Sequence, residues 1–193
     1  MAGLTHLDVN YNNIGDEGVA AVAAAAAGGY MPRLKNLSLI GNVIGTAGVK
    51  ALATAAASGG AFRELNFLSL TMYDCDPGIT ALAAFQEGAM AELKHLILHY
   101  SVRIEGVKAL AAAARAGGLS KLRIFRLGYN YYEDGCIEAL AEVIEKGDLP
   151  SLKYLYIGDG IHRSSLRYPH VVGNPRLLAA CEARRVHLNA DPI

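Results

Sequence analysis

The apolar pattern of this chain is periodic. The spacing L-x-x-L-x-[LVI] begins at Leu4, Leu34, Leu65, Leu93, Leu122 and Leu152, at intervals of 30, 31, 28, 29 and 30 residues. An interval of that length holds one strand and one helix, the unit from which a solenoid is stacked. Within a unit the second and third apolar residues, such as Leu37 and Leu39 or Leu96 and Leu98, are two apart. They share one face of a strand and stack on their counterparts in the next unit, while the residues between them occupy the opposite face.

Small and polar residues punctuate this pattern. Asp16, Thr46, Asp76 and Asp134 stand where helix N-caps are needed, and Pro77 suits a first helical position. Gly28-Gly29, Gly59-Gly60, Gly117-Gly118 and Gly147 stand where a left-handed residue closes a helix. Together they predict helices over 16–27, 46–58, 77–87, 105–116 and 134–146, with a last one over 175–185 and a short strand at Val186-His187-Leu188.

The stretches L-T-H-L-D-V-N-Y-N-N-I-G-D-E-G and L-K-N-L-S-L-I-G-N-V-I-G-T-A-G carry a further signature, L-x-x-L-x-L-x-x-N-x-I-G-x-x-G. Over residues 4 to 162 the chain resembles the leucine-rich repeat family, in its long, ribonuclease-inhibitor-like subtype. The resemblance implies an α/β solenoid, a horseshoe with a parallel concave sheet of about six strands and convex helices. Residues 1–162 then form about six repeats and 163–193 a C-terminal capping segment. It also implies that Asn12, Asn42 and Asn130 bond backbone groups where strand turns to helix, and that the molecule is a binding scaffold. Tyr73, Ser101 and Gly160 take the asparagine's place in the third, fourth and sixth units. A phenol cannot make the inward amide bonds, so the middle ascending loops are expected to be irregular.

The outward strand positions form columns. One holds His6, Asn36, Phe67, His95, Ile124 and Tyr154; the next holds Asp8, Ser38, Ser69, Ile97, Arg126 and Tyr156. His99 lies in a third column, with Tyr100 and Tyr129 beside it. With the leucine stack supplying the core, Phe67, Ile97, Ile124, Tyr129, Tyr154 and Tyr156 are expected to lie open to solvent as a patch across repeats three to six. Patches of this composition mark contact surfaces, and four strands present roughly 15 Å of sheet. The expected function is therefore a non-catalytic interaction module for a protein or peptide partner. Phe67, His95, Ile97, His99, Tyr100, Ile124, Arg126, Tyr129, Tyr154 and Tyr156 are the candidate contact residues. Aromatic pairing that merely stiffens the sheet is the plainer account of the same residues.

Chemistry beyond binding finds little support. His95 and His99 are four residues apart on one strand, with backbones about 13 Å apart, whereas zinc needs nitrogens about 2.0–2.1 Å from one ion; no metal or other cofactor is expected. The chain has no G-x-S-x-G and no G-x-x-x-x-G-K-[ST], and its paired acids fall at helix starts, so enzyme activity is not expected. Eighteen basic and eighteen acidic side chains cancel, which gives no ground for a nucleic-acid partner. No run of about 20 strongly apolar residues suggests a membrane span, and Met1 to Leu7 lead straight into a repeat without the pattern of a secretory leader. Three separated cysteines, Cys75, Cys136 and Cys181, fit buried thiols in the cytoplasm or another reducing intracellular compartment.

Three further features complete the reading. Lys35, Lys94, Arg123 and Lys153, with Arg33, Arg63 and Lys121, make the strand-start rim basic, which could steer an acidic partner or an RNA backbone but is more simply accounted for by complementation of helix C-termini. Long repeats of this subtype include activators of the small GTPase Ran, and Arg103 lies in a strand-to-helix loop, so a GTPase-activating role is the alternative function, beside that of a stabilising subunit. Finally, too few residues precede Leu4, Leu7 and Val9 to cover them, so contact with a further part of a longer chain or with another subunit is expected there.

Overall fold

The computed structural model describes residues 3–73, 79, 90–100, 102–128, 130, 132, 135–158 and 173–189. Its strands are β1 (His6–Asp8), β2 (Asn36–Ile44), β3 (Phe67–Met72), β4 (His95–His99), β5 (Ile124–Gly128), β6 (Tyr154–Gly158) and β7 (His187–Asn189). They form one parallel sheet in sequence order. The helices are α1 (Asp16–Ala27), α2 (Thr46–Ala57), α3 (Ile104–Arg115), α4 (Cys136–Lys146) and α5 (Pro175–Arg184). This is the expected α/β solenoid, its seven strands among the described residues being six repeat strands and, added to them, the short strand expected at Val186-His187-Leu188. The added strand pairs Leu188 with Leu155, although Arg185 replaces the opening leucine of the motif.

The leucine register is uninterrupted. Leu37 pairs with Leu68, Leu68 with Leu96, Leu96 with Phe125, and Phe125 with Leu155, all buried. Burying each such side chain contributes about 1.5–3 kcal/mol, and the parallel stack makes that burial continuous from unit to unit. Helix faces rich in alanine complete the layer. Ala53, Ala55 and Ala56 in α2 and Ala111, Ala113 and Ala114 in α3 are buried, and small side chains let a helix lie close to its neighbours. Leu4, Leu7 and Val9 are half-buried, since β1 has one strand neighbour.

One regular feature escaped the leucine pattern. Met31, Phe62, Met90, Leu119 and Leu149 each stand three residues before a first leucine, each buried, and each carbonyl accepts the N–H of that leucine. These turns aim every strand into the sheet. At the helix ends, Gly29, Gly59, Gly117 and Gly147 adopt φ between 75° and 81°, as the glycine spacing required.

The helix starts differ from expectation. Gly15 and Gly45 are the N-caps of α1 and α2, and Asp16 and Thr46 are the first helical residues. Asp16 serves the next unit instead: its carboxylate accepts the Gly45 N–H at 2.7 Å. A Cβ on Gly48 would meet that carboxylate at 2.7 Å and Ile44 Cγ2 at 3.1 Å, which explains the second glycine of I-G-x-x-G. The helix expected over 134–146 begins at Cys136, with the Glu138 carboxylate accepting the N–H of its cap, Gly135. The helix expected over 77–87, with Asp76, Pro77, Asp134 and Cys75, lies outside the described residues.

The asparagines do what the resemblance implied. Asn42 is fully buried; its Oδ1 accepts the Ile14 N–H at 3.1 Å from the preceding unit, and its Nδ2 donates to the carbonyls of Val9 at 3.0 Å and Leu39 at 3.2 Å. Asn130 repeats this with Val102 N–H at 2.8 Å and the Leu98 carbonyl at 3.0 Å. Where Tyr73 replaces asparagine the sheet extends. Met72 pairs with Ile44 after a register shift, and the Tyr73 N–H donates to the Ile44 carbonyl at 2.9 Å. Ser101 and Gly160 lie outside the described residues.

Asn42→Ala is expected to lower unfolding free energy by at least about 2 kcal/mol, because it leaves buried backbone groups without partners. Asn12 is exposed and donates to the carbonyls of Val9 and Asn10 of its own unit, so Asn12→Ala is expected to cost less than about 1 kcal/mol. Urea unfolding of the two variants checks the difference.

Candidate functional site

The sheet register places the outward residues in straight columns. His6, Asn36, Phe67, His95, Ile124, Tyr154 and His187 are successive partners, as are Asp8, Ser38, Ser69, Ile97, Arg126, Tyr156 and Asn189. The two expected columns are therefore single rows on one face, each lengthened by a residue of β7. Thr71 pairs with His99, and Gly128 with Gly158, in the third row.

This face has two chemically different halves. Toward β1 it is polar and bonded to itself: Asn10 Oδ1 accepts the Ser38 hydroxyl at 2.8 Å and the Ile40 N–H at 2.7 Å, and Ser38 and Ser69 hydroxyls meet at 2.7 Å. Toward β7 it is aromatic and cationic. Arg126 Cζ lies 4.5 Å from the Tyr156 ring centroid. Tyr156 lies 6.3 Å from Tyr154 with rings 20° apart, and Tyr154 lies 5.3 Å from His187 with rings 19° apart. The result is a continuous stack, Arg126–Tyr156–Tyr154–His187, across three strands and four side chains. Phe67 and His95 meet edge-on at 5.9 Å.

Exposure follows the neighbours of each side chain rather than strand position alone. Of the residues expected to stand open, Tyr154 is 40% exposed, Phe67, Ile124 and Tyr156 are half-buried, and Ile97 is buried at 9% exposure. Ile97 has Ser69 and Arg126 beside it in register and His95 and His99 two residues away on its own strand, so three longer side chains flank it. It belongs to the floor of the face. Tyr129 lies outside the described residues. Tyr100 has turned away from the rows: at φ 57° it follows β4 and stacks on Tyr73 at 6.1 Å, 10° from parallel, on the ascending rim. Arg103 is the exposed N-cap of α3 on that rim.

The two histidines of β4 occupy different surroundings. The His99 ring covers Gly128, where a Cβ would come within 3.1 Å of it, so the glycine makes room for the ring. Burial, aided by the Arg126 charge, holds the His99 imidazolium down to a pKa of about 4. Burial also lowers His95, helped by Arg123 and Lys94 at the strand start. Both rings are therefore neutral at pH 7 and add surface without charge. Among the described residues, no three His, Cys, Asp or Glu side chains are grouped to hold a metal ion, and no helix is long and apolar enough to cross a membrane.

The charge on the face comes from arginine and lysine. Lys94, Arg123 and Lys153 enter β4, β5 and β6 on adjacent rungs, the Arg123 N–H donating to the Lys94 carbonyl at 2.8 Å and the Lys153 N–H to the Arg123 carbonyl at 2.9 Å. Lys35 and Lys121 on the same rim pair with Glu64 and Glu92. Lys94, Arg123, Lys153 and Arg126 have no carboxylate within 4.0 Å among the described residues.

The family model described as Leucine Rich repeat matches residues 4–23 and 31–53. Those are the two units in which the asparagine and the I-G-x-x-G motif are both intact. No curated protein matches the chain. The two matched units carry the leucine-rich repeat, and five further parallel strands continue them in sequence order as one α/β solenoid.

Because the unfolded His99 titrates near 6.5 and the folded one near 4, the unfolded chain takes up the proton first as pH falls. The stability contribution is complete above pH 6.5 and is lost progressively as pH drops through that window toward 4, with His95 acting in the same direction. His99→Gln is expected to flatten this acid limb, measured as the urea midpoint against pH.

Proposed function

We propose that the protein is a non-catalytic interaction module that takes a protein or peptide partner on the β3–β7 half of its concave face. Leucine-rich repeat domains generally mediate protein–protein contacts, and the observation that carries the reading here is the stack Arg126–Tyr156–Tyr154–His187. The leucine register fills the core without these rings. Tyrosine and arginine give large contact area with few rotatable bonds, and they dominate the energetic centres of interfaces. Phe67, His95, Ile124 and the buried Ile97 supply the apolar floor beside the stack, and Tyr100 with Tyr73 a contact on its rim.

Unit lengths of 28 to 31 residues and the I-G-x-x-G turn support assignment to the ribonuclease-inhibitor-like subtype. We read residues 163–193 as the capping segment, in keeping with α5 packing on α4 and Arg176 pairing with Glu145 at 2.7 Å. A reducing compartment is supported by the buried cysteines Cys136 and Cys181, the latter thiol pushed up to about 11 by burial.

The double variant Tyr154→Ala/Tyr156→Ala is expected to lose the partners that the parent chain retains in affinity purification, while its circular dichroism and unfolding midpoint stay near the parent's. Unchanged retention of every partner would remove the concave face from the function.

A further inference from the structure

The β3–β7 half of the concave face carries a charge that it does not neutralise. Its outward side chains are Phe67, Ser69, Thr71, His95, Ile97, His99, Ile124, Arg126, Tyr154, Tyr156, His187 and Asn189, with no carboxylate among those described. Arg126 lies in the middle of this surface, half-buried, with its Nε enclosed and without a hydrogen-bond acceptor. An arginine stays protonated in any protein environment, so its withdrawal from water is costly until an acceptor arrives. Above it, Lys94, Arg123 and Lys153 form a row on adjacent rungs without carboxylate partners among the described residues, about 10 Å long at the spacing of a sheet.

Resting on the interaction-module reading, we infer that the partner segment is an acidic polypeptide, whose carboxylates meet Arg126 and the Lys94–Arg123–Lys153 row while an apolar side chain lies on Phe67, Ile124 and Tyr154. Charge complementarity is the first argument, since an Arg–carboxylate contact in a partly dehydrated site is both strong and directional. The second separates polypeptide from single-stranded nucleic acid, the other polymer that cations and rings attract. Bases bind such surfaces by stacking on free aromatic faces. Here Tyr156 already has the Arg126 guanidinium 4.5 Å from its centroid, and Tyr154 has the near-parallel rings of Tyr156 and His187 beside it, so part of each ring's stacking surface is already covered from within the chain. The chain's own segment 159–172 does not fit the role, as it carries Asp159 against Arg163 and Arg167.

The test uses the full chain and fluorescein-labelled synthetic peptides built around a Leu-Phe pair and flanked by Glu, by Gln or by Lys, with labelled oligouridylate as a further probe, read by fluorescence anisotropy. The Glu peptide is expected to bind and to weaken with added salt, the Lys peptide not to bind, and Arg126→Gln to reduce affinity about tenfold or more. The rim variant Lys94→Gln/Arg123→Gln/Lys153→Gln, with Arg123 and Lys153 exposed and Lys94 half-buried, guards against misfolding at Arg126, and it is expected to slow association and reduce the salt dependence. Equal binding of the three peptides, binding of oligouridylate in preference to the Glu peptide, no peptide binding at all, or affinity indifferent to both variants would each overturn the acidic partner. Loss of cellular partners in Tyr154→Ala/Tyr156→Ala would still uphold the module in that event, so the two readings fail separately.

Discussion

A chain that turns from strand to helix once in every unit must bring the polar backbone of that turn into a region where water is scarce. The side-chain amide of Asn42 meets this constraint by bonding one N–H and the carbonyls of two units at once. Leucine burial supplies most of the free energy, yet apolar contact is non-directional and would tolerate a slip between units. The amide would not. It fixes the height of the second unit against the first, and with it the rows of the sheet face there. Asn130 performs the same task at the fourth and fifth units.

The scaffold was legible because its determinants are periodic. Leu37, Leu39 and their counterparts recur at intervals that no other arrangement of the chain would bury, and the closing glycines fall where φ is positive. What escaped were contacts between units. Asp16 reads locally as a cap for its own helix, but its oxygen lies on Gly45 of the next unit, a distance of 29 positions that no local rule spans. Tyr132 escaped inside its own unit: it takes the place of Ile14 and Ile44, is buried, and its hydroxyl donates to the Leu127 carbonyl five residues back. The buried row Met31, Phe62, Met90, Leu119 and Leu149 was visible in principle, at three residues before each leucine, but its members vary in type.

The concave face was legible in membership and not in exposure. Strand alternation assigns Ile97 to the outward side correctly, yet exposure depends on the size of four neighbours on three strands, which alternation does not encode. The stacking of His187 on Tyr154 likewise arises only when β7 takes its place at the sheet edge. His99 shows how tightly such placement constrains sequence. Its ring occupies the space that a side chain at position 128 would need, so the neutral imidazole and the glycine beneath it are one solution to a single volume.

The serial order of the sheet, in which each inner strand touches only the strands before and after it, also governs how such a molecule changes over generations. The hydroxyl and amide network around Asn10, Ser38 and Ser69 shares no side chain with the ring stack from Arg126 to His187. Substitution in one half leaves the other untouched, and a whole unit can be duplicated or lost between them without disturbing the bonds inside either. The recognition surface is in this sense modular along the axis, free to lengthen or to change its chemistry one rung at a time.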